Sequence, residues 1–144
     1  MLTLSRDVHF INTVMNDPTV HPWISLGQEG PLDMTALLED PRNLFLCNEW
    51  GGFMFVYKGE NVYEVHTQFL PGGRGQTVRE AAKEAMAFMF TQTACEAITT
   101  YCPLDNPPAR FLAKGAGMNK VGKAYPMGKD CDMYIITKGE WQCR

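Results

Sequence analysis

A chain of 144 residues with 45% apolar and 20% charged side chains suits one domain with a real core, and a single domain spanning 1–144 is expected. Its net charge of -3 supplies no positive field to draw nucleic acid, and "MLTLSRDVHF" has no apolar run of the length that a signal peptide or membrane span needs, so a cytoplasmic protein is expected. The five cysteines (Cys47, Cys95, Cys102, Cys131 and Cys143) are odd in number and show no C-x-x-C spacing. His9, His21 and His66 show no ligand spacing either, so free thiols and no metal site are expected.

In chain order, "LTLSRD" reads as a short strand. Val8, Ile11, Val14 and Met15 then repeat at helical spacing, with Asp7 placed to cap the helix and Pro18 to end it. "HPWISLGQEGPLDM" is a proline- and glycine-rich connection, and "MTALLED" a short helix stopped before Pro41. "NLFLCNEW", "GFMFVYKG" and "NVYEVHTQFL" form a three-strand meander. In the third strand Val62 and Val65 are expected on one layer, with Glu64 and His66 at the opposite parity. A helix from Val78 to Thr91 follows, its stripe of Ala81, Ala82, Ala85, Met86, Met89 and Phe90 belonging to a core. "EAITTYCP" is a strand, and "NPPARFLAKGAG" is a helix that begins with prolines and ends at glycine. "KVGKAYPM" and "CDMYIITK" are a final antiparallel pair.

The strands on either side of the Val78 helix are joined by a crossover and should be parallel neighbours; the tightly linked strands should be antiparallel. The fold class is therefore α/β, a mixed and mostly antiparallel sheet with helices on both faces. Arg110, Lys114, Lys120 and Lys123 form a mild grouping that reads either as a solvated face or as an anion-binding edge.

The segment "LPGGRGQTVREAAKEAM" joins a strand directly to a helix through Gly72, Gly73 and Gly75. Such a turn aims loop and first-turn amides at one point, in the field of the helix dipole, and that suits a phosphate. An empty structural turn has the same composition. No Lys-Ser or Lys-Thr follows the glycines, so this is no Walker loop.

The element order and "LPGGRGQTVREAA" resemble the GCN5-related N-acetyltransferase superfamily. That family places (Gln/Arg)-x-x-Gly-x-(Gly/Ala) at this turn and binds the pyrophosphate of acetyl-CoA there. Laid on this chain, Arg74 takes the first position, Thr77 the first glycine position and Arg79 the last. "NPPARFLAKGAGM" is similar to the family's Asn-x-x-Ala helix, with Asn106, Ala109, Gly117 and Met118, and "DMYIITK" resembles its last strand. More narrowly, "YEVHTQFLPGGRG" and "KGEW" are similar to small acetyltransferase-like proteins of tailed bacteriophages.

The resemblance implies acetyl-CoA as cofactor and Phe69, Gly73, Arg74, Gly75, Gln76, Thr77, Val78, Arg79, Thr100 and Asn106 as its binding residues. It implies transfer to an amine of a small molecule or a protein. Such transfer needs a base for the amine and donors for the thioester oxygen. Glu64 is the expected base, with His66 orienting it or sharing the task; the two lie about 6.5–7 Å apart along one strand face. The family's acid, a Tyr on the helix after Asn106, is replaced by Ala113, leaving Tyr101 or Tyr125 as substitutes. Thr77 and Arg79 depart from the family's small residues, and Thr77 with Glu80 fits a capping box as an alternative to phosphate binding. In the connection where the family builds its acceptor pocket, the resemblance implies that Trp23 lines that pocket or anchors a partner; a packed loop aromatic is the alternative. The alternative reading is a non-catalytic protein of the same fold: a phage particle or assembly component or host-factor binder, found in the host cytoplasm or virion. A homodimer, a phage protein or a host protein is then the partner.

Overall fold

The computed structural model describes residues 1–25 and 28–144, the side chain of Met127 excepted. Leu26 and Gly27 of the proline- and glycine-rich connection lie outside the described residues. The strands are β1 (Thr3–Ser5), β2 (Leu44–Asn48), β3 (Gly51–Tyr57), β4 (Val62–Phe69), β5 (Ala97–Pro103), β6 (Asn119–Ala124) and β7 (Cys131–Thr137). The helices are α1 (Val8–Met15), α2 (His21–Ile24), α3 (Thr35–Glu39), α4 (Gln76–Gln92), α5 (Pro107–Gly115) and α6 (Lys138–Gln142).

The seven strands form one sheet in the order β1-β2-β3-β4-β5-β7-β6. β4 and β5 are parallel, as the crossover requires, and the other neighbours are antiparallel. Alternation along the strands divides the core in two. Leu46, Phe53, Phe55, Val65 and Ile98 pack under α4 and α5 with Met86, Met89, Phe90, Ala113 and Ala116. Phe45, Cys47 and Met54 point to the other face and pack with Ile11, Met15 and Leu38 of α1 and α3. Helices cover both faces, as the fold-class expectation required.

Local chemistry accounts for the helix ends. The Asp7 side chain accepts from Phe10 N at 3.1 Å to start α1, which ends at Met15, before Pro18. Asn106 accepts from Ala109 N at the proline-led start of α5. After α1, Asn16 holds both the amide (2.6 Å) and the carbonyl (2.7 Å) of Leu32, and Asn12 accepts from Met34 N at 2.9 Å. His21 Nε2 lies 2.8 Å from Gly30 O. These bonds fix the ends of the connection around α2, which the sequence reading left as irregular chain.

The structure corrects several boundaries. α4 begins at Gln76, two residues before the expected start. α6 was not expected, although Thr137 and Glu140 form a full capping box there and Trp141 packs on Phe90 at 5.4 Å. Val62 does not share a layer with Val65: the buried alternating residues of β4 are Tyr63, Val65 and Phe69, so Val62 belongs with Glu64 and His66. The described cysteines are free, and four of the five are buried.

Candidate active site

β4 pairs with β3 along its whole length, from Tyr63↔Tyr57 to Phe69↔Gly51. Its other edge pairs with β5 only at Val62↔Ala97, Tyr63↔Ile98 and Glu64↔Thr99. Beyond that point the strands part, β5 staying in register with β7 as far as Pro103↔Cys131. The Thr100 hydroxyl donates to Val65 O at 3.0 Å and closes the apex of the wedge. From there to Phe69 the outer main-chain groups of β4 have no strand partner.

A cavity of about 350 Å³ occupies the wedge and reaches both faces of the sheet. On the α4 and α5 face it is lined by Phe69, Val78, Met86, Thr100, Asn106 and Ala113. On the other face it is lined by His66, Gln68 and Tyr101 and by Thr19, Val20, Trp23 and Ile24 from the chain after α1. Arg74 and Gly75 line it at the turn.

The turn differs in detail from its expected chemistry. Gly72 and Gly73 serve packing: a Cβ on either would come within 2.5 Å of the Trp50 side chain. Only Gly75, at φ 82°, uses the left-handed region, and it takes the N-cap position of α4. Within the turn, Gly73 N donates to Leu70 O (2.9 Å) and Arg74 N to Pro71 O (3.3 Å), so these two loop amides are not free for a phosphate. No side chain caps α4, so the capping-box alternative for Thr77 and Glu80 does not form; Gln76 Nε2 donates to Glu80 at 3.2 Å instead. Thr77 and Arg79 are exposed, so these departures from small residues do not fill the space at the helix start. Arg79 Nε donates to Gln76 Oε1 at 3.1 Å. Arg74 donates through Nε to Phe69 O (2.9 Å) and through a terminal nitrogen to Thr19 Oγ1 (2.8 Å), tying the turn to both walls of the wedge.

His66 Nε2 lies 2.6 Å from Glu64 Oε2, in a pair whose side chains are 35% and 15% exposed respectively. The hydrogen bond from His66 holds the Glu64 carboxyl below its ordinary value of 4.5; burial opposes this, and the charges of His66 and Lys58 assist. His66 lines the cavity and Glu64 does not. Tyr101 lines it as well, whereas Tyr125 is 66% exposed and lies elsewhere. Cys102 also faces the cavity, but burial pushes its thiol up to about 12, which favours the protonated form over the nucleophilic thiolate.

Of the residues nominated from sequence, His66, Phe69, Arg74, Gly75, Val78, Thr100 and Asn106 meet at the cavity. Gly73, Gln76, Thr77 and Arg79 lie at or beyond its mouth, along the turn and the start of α4. Thr19, Val20, Ile24 and Gln68 were missed. Gln68 had a signal, since it shares the parity of Glu64 and His66; Ile24 lies in the connection that supplied Trp23, which does line the cavity, while Thr19 and Val20 had no signal.

No family model and no curated protein matches the chain. Solved structures do. An acetyltransferase of the GNAT family from Bacillus anthracis is 21% identical with a TM-score of 0.73, over 96% of this chain and 95% of that one. Spermidine N-acetyltransferase from Vibrio cholerae, in complex with CoA and spermine, is 18% identical with a TM-score of 0.74, over 98% of each chain. AAC(6')-Ib, in complex with Parmomycin and AcetylCoA, is 13% identical with a TM-score of 0.76, over 99% of this chain and 95% of that one. The fold is that of the GCN5-related N-acetyltransferases.

Proposed function

We propose that the protein is an acetyl-CoA-dependent N-acyltransferase that modifies an amine of a small molecule or a protein. The observation that carries this reading is the wedge between β4 and β5, where one strand edge is left without hydrogen-bond partners beside a cavity that opens on both sheet faces. Buried main-chain groups require partners, and an extended amide-bearing arm laid along β4 supplies them. The residues fit the cofactor. The uncapped amides at the start of α4 suit a diphosphate. Arg79, exposed in the first turn, adds a cation, and Phe69, Thr100 and Asn106 border the arm. Acetyl-CoA, when bound, supplies an activated acyl group and a thiolate leaving group.

The chain's own residues then handle the proton. Glu64 holds the Nε2 side of His66, which leaves Nδ1 to take a proton from the acceptor amine. This reverses the two roles expected from sequence: His66 acts at the cavity and Glu64 orients it. Tyr101, which lines the same side of the cavity as His66, would offer its hydroxyl proton to the thiolate that transfer releases. An amine acceptor is supported by the structurally similar spermidine N-acetyltransferase, whose structure holds CoA and spermine.

Calorimetric titration with acetyl-CoA tests the cofactor assignment. We expect a micromolar Kd, about -8 kcal/mol. No heat and no thermal shift at millimolar CoA would reject the assignment and return the non-catalytic reading. For the base, His66→Gln should lower turnover by about 10²- to 10⁴-fold with CoA affinity unchanged. Full activity in His66→Gln would move the base elsewhere.

A further inference from the structure

Gln68 is an anomaly of the core. It is 1% exposed, and neither its amide nitrogen nor its amide oxygen has a hydrogen-bond partner among the described residues. An unpaired buried carboxamide costs about 1–3 kcal/mol, so a chain that keeps one is expected to use it. Gln68 lines the cavity. It sits two residues beyond His66 on the same face of β4, opposite Gly52, which has no side chain to offer it. The cavity wall on that face combines the apolar Val20, Trp23 and Ile24 with Thr19, His66 and Tyr101, and none of these polar groups hydrogen-bonds the Gln68 carboxamide.

The charge of this chamber is equally specific. Among the described residues that line the cavity there is no Asp or Glu, while Arg74 and His66 are present. A polycation would face Arg74 at the cavity wall, and the carboxylate on β4, Glu64, is already paired with His66.

We propose that Gln68 is the residue that selects the acceptor, and that the acceptor is an amine next to a carboxamide: an amino amide or the N-terminus of a peptide. The inference rests on the acyltransferase reading. A carboxamide side chain has a donor group and an acceptor oxygen in one plane, so it pairs with a primary amide through two hydrogen bonds and with a trans peptide amide through one. The residue step along β4, about 6.5–7 Å, sets the amide beside Gln68 while its neighbouring amine reaches His66. The apolar walls accept a small apolar side chain on the carbon between them. A simple alkylamine leaves Gln68 unpaired and is selected against.

The test uses Gln68→Met, which keeps the length and removes both polar groups. Alaninamide, isopropylamine and spermidine are compared as acceptors. The parent should favour alaninamide. Gln68→Met should lose at least about tenfold in kcat/KM on alaninamide, the worth of one net hydrogen bond or more, while isopropylamine does not fall, so that the preference between the two amines collapses. Equal losses on both amines, or a parent that prefers spermidine, would overturn the proposal. A second arm needs no turnover: alaninamide is titrated into each variant and followed by amide chemical shifts. Saturable shifts in the parent that Gln68→Met loses support the proposal, and no binding by the parent overturns it. The CoA titration is read separately, so alaninamide binding without CoA binding rejects the transferase reading and keeps the amide site. Gln68→Met should also raise Tm; a lower Tm would mean that the carboxamide is satisfied within the fold, and would sink the proposal.

Discussion

The two edges of β4 are made from the same eight residues and behave differently. Toward β3 every position from Tyr63 to Phe69 is paired, and the neighbouring strand β2 continues the register. Toward β5 the pairing stops after Glu64. Side-chain hydrophobicity does not explain the contrast, since both edges belong to one strand. β5 is held away by its longer pairing with β7, and the turn after Phe69 is anchored by Arg74 to Thr19 on the far side of the wedge. A closed edge converts main-chain groups into stability. An open edge inside the core keeps them for a ligand.

Three substitutions sharpen this division. The largest effect belongs to the closed side. Leu46 is 1% exposed and packs under the α4 face, and Leu46→Ala should cost about 2–5 kcal/mol in urea unfolding, through lost transfer energy and the cavity left behind. CoA affinity at a temperature where the variant is folded should not change; a parallel fall in affinity would mean that the two edges are not separable.

On the open side, Arg74→Ala should weaken CoA binding by about 1.5–3 kcal/mol, the range for hydrogen bonds to charged groups. Part of that loss comes through the turn, because Arg74 holds Phe69 O and Thr19 in place. Lys58→Ala, beyond the end of β3 and far from the turn, is the control. Equal affinities in the two variants would break the assignment of the turn.

The smallest effect concerns the Glu64–His66 pair at the apex. The folded carboxyl titrates below its ordinary 4.5, so its contribution is present above that value and is lost as pH falls through the lower folded value. Urea unfolding of Glu64→Gln and the parent should differ by less than about 1.5 kcal/mol at pH 7, because the pair is part exposed, and the difference should shrink on acidification. A gap that widens at low pH would show the opposite linkage and remove the pair as described.

Much of the architecture was legible because it rests on local periodicity. The alternation of β4, the Ala and Met stripe of α4, the crossover that makes β4 and β5 parallel, and the cap at Asp7 need only neighbouring residues. The turn itself was found, and so was the strand face that carries His66.

The pattern Thr-x-x-Glu marks the limit. It occurs at Thr77–Glu80 and again at Thr137–Glu140. Only the second closes a capping box. At the first, Gly75 starts the helix two residues earlier, and Thr77 falls inside it. The glycine takes that place because the preceding turn is seated against Trp50 and tied to Phe69, contacts across strand ends that no local window contains. The sequence by itself determined the seven strands, the helices α1, α3, α4 and α5 and their order, since these follow from short-range sterics and burial. Only the tertiary structure decided which of two equivalent edges of β4 stays open, which of two acidic-imidazole partners faces the cavity, and that Gln68 is buried there without a partner. Those outcomes depend on where distant chain segments come to rest, and a linear pattern carries no term for that.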